Sequence, residues 1–225
     1  MPDPGKEAEK WRVHWFDQTL PGHDPESPEL YEFHARELRL LFADTPLGSV
    51  LELGCGNGAL YPYLGFDRLK YRGVDFSPSM LAKFGAKHPG ADLVCHEAST
   101  YVDPESKYDL IFSNQLVQYF DRTMLTRHFE CACAMIHQNS LFICAGVPWK
   151  VLRFRHRAGL LSRPRKVSFL WQLLASIYLA FAEDVIGHWH DLHEFAELAD
   201  RHGFSANFYG SLVYPYRFHA VMRLR

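Results

Sequence analysis

The sequence predicts an α/β fold: a doubly wound, mainly parallel seven-stranded sheet with helices on both faces, a C-terminal antiparallel hairpin and a helical insertion after strand five. Three observations carry this. Short apolar runs bounded by glycine, proline or asparagine recur along the chain and read as buried strands. Segments with helical apolar spacing alternate with them, which demands right-handed strand–helix–strand crossovers. Two final strand-like segments, Ser205–Leu212 and Tyr216–Leu224, follow each other without a helix between them and so pair as a hairpin.

The elements follow in order. Residues 1–47 form an N-terminal helical cover segment. Its first 25 residues are polar, broken by Trp11, Trp15, Phe16 and Leu20, and read as a short helix and a loop. Ser27-Pro28 is an N-cap followed by proline at the first helical position, and Leu30, Phe33, Leu38 and Leu41 give a helical stripe out to Phe42. The main domain, 48–225, opens with strand 49–53, a helix from Gly58 to Leu64 and strand 70–75. Ser77-Pro78 starts a helix that His88-Pro89-Gly90 stops. Strands 92–96 and 109–113, a helix over 122–137 and strand 141–146 come next. After the insertion, Asp191-Leu-His-Glu194 resembles a capping box, and its helix ends at His202-Gly203.

At 225 residues, with 48% apolar and 15% aromatic content, the chain can fill one α/β core. A net charge of −2 gives no general reason to expect nucleic acid. The five cysteines lie mostly within strand or helix patterns, which favours reduced thiols and a cytoplasmic setting. The polar N-terminus has no apolar stretch of the kind a secretory signal needs.

The most informative segment is Ser49–Gly58, an apolar strand running into Gly54, Gly56 and Gly58. Glycines at alternate positions let backbone N–H groups approach a ligand that a Cβ would block. Glu52 sits inside the strand, where an unpaired carboxylate is costly, and its natural partner is a hydroxyl-bearing ligand. The next strand ends in Asp75, 17 residues beyond Gly58, near the distance at which such a unit places an acid on a ribose. Ligands of open α/β sheets bind outside the carboxyl ends of the strands. That rule nominates Glu52 and the turn Gly54, Cys55, Gly56, Asn57 and Gly58; then Asp75, Phe76 and Ser77; His96, Glu97 and Ala98; and Ser113, Asn114 and Gln115. The turn holds no basic residue to meet a pyrophosphate, so ribose hydroxyls with a cationic or zwitterionic tail suit it better.

On Val50-Leu-Glu-Leu-Gly-Cys-Gly-Asn-Gly58, Gly73-Val-Asp-Phe-Ser77 and Tyr108-Asp-Leu-Ile-Phe-Ser-Asn114, the chain resembles the class I S-adenosylmethionine-dependent methyltransferases. The likeness covers roughly Gly48 to Val147 and returns weakly at the C-terminus. It implies a Rossmann-like fold and S-adenosylmethionine as cofactor. It further implies that Asp75 accepts both ribose hydroxyls, that Phe76 or Met80 flanks the adenine, and that Asn114 and Gln115 contact the amino-acid part. Glu97 stands where the family usually has an aspartate that meets the adenine amino group. An NAD-dependent oxidoreductase is the rival at the same edge, opposed by the glycine spacing and by Glu52. A non-catalytic subunit that keeps the fold is another.

The insertion, 150–187, has two halves. Lys150, Arg153, Arg155, Arg157, Arg163, Arg165 and Lys166 accompany no acid, and thirteen of the sixteen residues of Val167–Ala182 are apolar. Such a helix must be buried. At roughly 24 Å it is short of a bilayer core near 30 Å. It is either a lid over the active site or, over 150–182, a peripheral membrane patch or anionic-substrate site, where a lipid-linked or phosphorylated acceptor would use both halves.

Methyl transfer needs an acceptor held in line and, for a hydroxyl, a base. His188, His190 and His193 form the densest ionisable cluster with Asp191, and His190 is the first candidate base; His14 is a remote second. Their spacing fits no common zinc template, so no metal is expected. Gln118 and Tyr119 follow strand four and point toward an acceptor pocket; many family members have a histidine near there, and this chain has none. Ser113-Asn-Gln-Leu116 stands where amino-group methylases of nucleobases or glutamine carry Asn-Pro-Pro-Tyr. The expected acceptor is therefore a small molecule or glycan, methylated on oxygen rather than nitrogen.

Overall fold

The computed structural model describes residues 27–158, 161 and 186–225. His14 with its expected helix, and the apolar 167–182 helix, lie outside the described residues.

The sheet has seven strands: β1 (Val50–Leu53), β2 (Tyr71–Asp75), β3 (Asp92–Cys95), β4 (Tyr108–Asn114), β5 (Ile136–Pro148), β6 (Phe204–Gly210) and β7 (Arg217–Leu224). Their order is β3-β2-β1-β4-β5-β7-β6. The first five pair in parallel, while β7 runs antiparallel between β5 and β6. The order reverses at β1, beside β4, and there the crossovers leave a crevice at the carboxyl ends.

Alternation along the strands sorts apolar residues onto two faces. One face buries Leu51, Leu53, Ile111 and Phe142 against α4 (Arg122–Met135) and α6 (Leu192–Arg201), through Leu125, Phe129, Phe195 and Leu198. The other buries Val50, Leu110, Phe112 and Ile143 against α1 (Pro28–Leu41) and α3 (Pro78–Lys87), through Leu38, Leu81 and Phe84. Ser27 caps α1 by accepting from Leu30 N, and Ser77 caps α3 by accepting from Met80 N. Proline at the first helical position completes both starts.

Two boundaries differ from expectation by three residues or more. Helix α2 spans only Tyr61–Leu64. Gly58 has φ +69 and Asn57 Oδ1 accepts from Ala59 N at 3.1 Å, so the turn stays non-helical until residue 61. Strand β5 begins at Ile136, directly after α4, not at 141. The exposed polar run 137–139 hid those residues from an apolar reading; Ser140 Oγ holds them by accepting from His137 N at 2.9 Å and donating to Tyr108 O at 2.7 Å. All five cysteines are unpaired. No helix among the described residues is long and apolar enough to cross a membrane. Of the insertion, α5 (Arg153–Arg157) is described.

Candidate active site

The glycine turn is held from below. Gly54 N and Cys55 N donate to Val74 O at 2.7 and 3.1 Å, fixing the end of β1 to β2. Gly54, Gly56 and Gly58 have φ of +76, +55 and +69, a region other residues enter at a cost. At Gly54 a Cβ would also come within 2.7 Å of Leu116 Cδ1, since the residues after β4 fold back onto the turn. A Cβ on Gly56 would meet nothing within 4 Å, so the turn is open on that side.

Asp75, at the end of β2, is 8% exposed and reaches into the turn. Its Oδ2 accepts from Gly56 N and its Oδ1 from Ser77 N, each at 2.9 Å. One donor per oxygen leaves further lone pairs for a ligand's hydroxyls. Burial raises its pKa above the usual aspartate value, and the backbone donors oppose that shift. Phe76 is half-buried beside it, and Met80 lies buried in the first turn of α3. His96 N donates to Asp75 O at 3.0 Å, tying β3's end to β2's. Glu97 turns back on its own loop, accepting from Ser99 N at 2.9 Å and from Ser99 Oγ; Ala98 is buried behind it.

Glu52 meets a protein hydroxyl where a ligand hydroxyl was expected. It is 5% exposed and accepts from Tyr71 Oη at 2.6 Å. Burial pushes its pKa up to about 7, against the pull of the Tyr71 hydrogen bond. Cys55 Sγ and Tyr71 Oη crowd over Gly73, where a Cβ would fall within 2.9 Å of each. Glu52 thus supports the turn from beneath. The pairing could not be read from the sequence because it depends on the register of β1 against β2.

At the end of β4, Gln115 has φ +52, the one positive value outside glycine among the described residues. Its N donates to Ala145 O at 2.9 Å. Gly146 opposes it; a Cβ there would lie 2.9 Å from Gln115 Cγ and 3.2 Å from Asn114 Oδ1. Asn114 Oδ1 is buried and has no hydrogen-bond donor. Strained backbone and an unmatched acceptor at one strand end are marks of a ligand site. Together with the spare capacity of Asp75, they show that these residues fit a hydroxylated, amine-bearing cofactor such as S-adenosylmethionine.

The other half of the edge is built from distant segments. His190 is 3% exposed. Its N donates to Pro148 O at 2.9 Å and its O accepts from Lys150 N at 2.8 Å. The ring Nε2 lies 2.9 Å from Val117 O and Nδ1 lies 3.3 Å from Glu194 Oε2. Both partners are acceptors, so both ring nitrogens are committed within the protein, and the ring holds the 117–119 turn against the start of α6. The contact with His190, first among its causes, lowers the Glu194 pKa. His188 N donates to Gln118 O at 2.7 Å, and His193 is exposed. Tyr119 is pushed up to about 12, chiefly by burial.

Arg217, which sequence reasoning missed, opens β7 opposite Pro148 and is 4% exposed. Its Nη1 donates to Gln118 Oε1 at 2.7 Å and to Gly146 O at 2.5 Å. Next to it, Gly146 N donates to His219 Nδ1 at 3.2 Å, and His219 Nε2 faces Glu37 Oε1 at 3.4 Å. Glu37 also accepts from Ser211 Oγ at 3.1 Å and from Leu212 N. In the sequence it is one basic residue at the start of a strand-like run, with nothing to mark its burial.

Residues 50–139 match the family model of a methyltransferase domain. The chain is 35% identical over 81 residues to a malonyl-[acyl-carrier protein] O-methyltransferase of Ilyobacter polytropus, covering 34% of this chain and 30% of that protein. It is 32% identical over 87 residues to a trans-aconitate 2-methyltransferase of Deinococcus radiodurans, covering 38% and 33%. The matched segment thus spans about a third of the length of these relatives. The fold superposes on a magnesium protoporphyrin IX methyltransferase of Synechocystis, solved with S-adenosylmethionine bound, with a TM-score of 0.62 and 13% identity over 100% of this chain and 98% of the other. With the strand order, the glycine turn and the matched residues in agreement, residues 50–139 form a methyltransferase domain, and the chain has the fold of S-adenosylmethionine-dependent methyltransferases.

Proposed function

We propose that the protein transfers the methyl group of S-adenosylmethionine to a small-molecule or glycan-type acceptor, on oxygen in preference to nitrogen. The carrying observation is the Asp75 carboxylate, buried in the glycine turn with one backbone donor per oxygen and lone pairs to spare. When bound, S-adenosylmethionine supplies a methyl on a sulfonium, a group that needs only an in-line nucleophile. Asp75 accepts from the ribose hydroxyls. Phe76 and Met80 flank the adenine, with Glu97 and Ala98 at its rim. Gly54–Gly58 carries the backbone against the cofactor, and Asn114 and Gln115 receive the amino-acid end. Glu52 supports the turn through Tyr71. His190 acts as a positioning group that fixes the 117–119 turn beneath the acceptor.

Calorimetry with S-adenosylhomocysteine and with NAD tests the reading. Binding of the first without the second is expected; NAD binding alone would overturn it. Release of S-adenosylhomocysteine over a panel of hydroxyl, carboxyl and amine acceptors then separates oxygen from nitrogen transfer. Cofactor binding without turnover on any of them would favour a non-catalytic subunit.

A second reading, work at a membrane surface, rests on α5 and the turn before it. Val151 and Phe154 are 68% and 62% exposed beside Arg153, Arg155 and Arg157, an apolar-and-basic pairing suited to anionic lipid. Flotation with anionic vesicles, lost when the three arginines become glutamate, would support it.

A further inference from the structure

We propose that Arg217 anchors the acceptor, its guanidinium holding a carboxylate group of a small anionic substrate at the carboxyl edge of β5. The inference rests on the methyltransferase reading only in taking this edge as the acceptor's side of the site.

A guanidinium removed from water needs its charge met. Among the described residues no carboxylate pairs with Arg217 directly. Nη1 donates to two neutral oxygens, Gln118 Oε1 and Gly146 O. Nε is buried and meets no acceptor. The rings of Tyr216 and Tyr214 lie 5.0 and 5.7 Å from Cζ, a contact that softens the charge without cancelling it. The acid of this cluster, Glu37, is engaged by Ser211, Leu212 and His219.

Arg217 is not the only unmatched group here. Asn114 Oδ1, His34 Nε2 and Tyr214 Oη are also buried without partners. They are linked through the same few residues. Asn114 crowds the Gly146 position, Gly146 O takes the Arg217 bond, and His34 stands edge-on to Tyr214 at 5.2 Å. Four orphaned polar groups around one strand end leave hydrogen bonds for a ligand to complete. Desolvation pushes His34 down to about 4, so it faces the cluster as a neutral ring.

Charge selects the ligand class. The flat fork of a guanidinium with no carboxylate in contact matches a planar carboxylate bearing one negative charge. A phosphate dianion would want a second cation, and the cluster offers none among the described residues.

The test reads the arginine directly. The Arg217 side-chain N–H resonance, assigned by its disappearance in Arg217→Lys, is followed while acetate, acetamide or inorganic phosphate is added. A saturable shift with acetate and none with acetamide is expected. A shift with phosphate alone, or with none of the three, would overturn the proposal. Gln118→Glu then supplies an internal carboxylate while leaving the guanidinium in place; it should weaken acetate binding about tenfold or more, and unchanged binding would count against the proposal. Affinity for S-adenosylhomocysteine, measured on the same samples, keeps the two readings apart. Its loss would sink the methyltransferase proposal, whereas the acetate response concerns Arg217 alone.

Discussion

The two halves of the carboxyl edge are made differently. Around the glycine turn, the work is done by backbone and by side chains one or two residues from a strand end: Gly56 N on Asp75, Ser77 N on Asp75, Ser99 on Glu97. Around Gly146 the partners come from far apart in the chain, with Arg217 meeting Gln118 and His190 meeting Val117. A cofactor common to many enzymes is met by local devices that travel together in sequence. On the proposed reading, an acceptor peculiar to one enzyme is met by side chains that only the fold assembles.

Four measurements would break or sharpen that contrast. The largest effect is expected at Gly58→Val. Its φ is +69 and a Cβ would lie 2.7 Å from the Phe84 ring, which is wholly buried. Urea unfolding should show a loss of about 3–4 kcal/mol, and a loss below about 1 kcal/mol would mean the turn is not rigid.

Next comes Glu52, whose raised pKa is a statement about stability. Its protonated form is favoured in the fold, so its contribution is full below the ordinary value of 4.5 and is lost as pH rises through about 7. That amounts to about 3 kcal/mol at most. Glu52→Gln should flatten the stability profile across that window; an unchanged profile would show that Tyr71 offsets the burial.

Asp75→Ala should weaken S-adenosylhomocysteine binding by about 1–3 kcal/mol. Equal affinity in the variant would remove Asp75 from the cofactor site. The smallest effect is expected at His190→Gln, which keeps a donor toward Val117 O. It should cost about 1 kcal/mol of stability and raise the acceptor KM while leaving cofactor affinity alone. A change in cofactor affinity would erase the division between the halves.

The same division governs what the sequence reveals. All seven strands were legible because apolar runs at Val50, Val74, Leu110 and Ile143 need no partner to declare themselves. The strand ends proposed to hold the cofactor were legible as one edge because Gly54–Gly58 and Asp75 are close in sequence and each strand ends in view. Three things were not. The polar start of β5 is held by Ser140 reaching Tyr108, a tertiary contact. The partner of Glu52 depends on strand register, which sets Glu52 beside Gly73 and so near Tyr71. Arg217 looks like any basic residue at the start of a strand until β7 is laid against β5. His190 drew notice as part of an ionisable cluster, but only the fold shows that Val117 and Glu194 already occupy its ring.

The antiparallel return of β7 has a consequence for the order in which the protein is made. A chain emerging from the ribosome holds every strand end around the glycine turn once Pro148 is out, because all the parallel pairs lie among the first five strands. Strand β5 then waits with one edge bare until residue 217 and those after it arrive to cover it. The donor's seat can be finished during synthesis. The proposed acceptor's side is closed last, by the strand that joins β5 to β6.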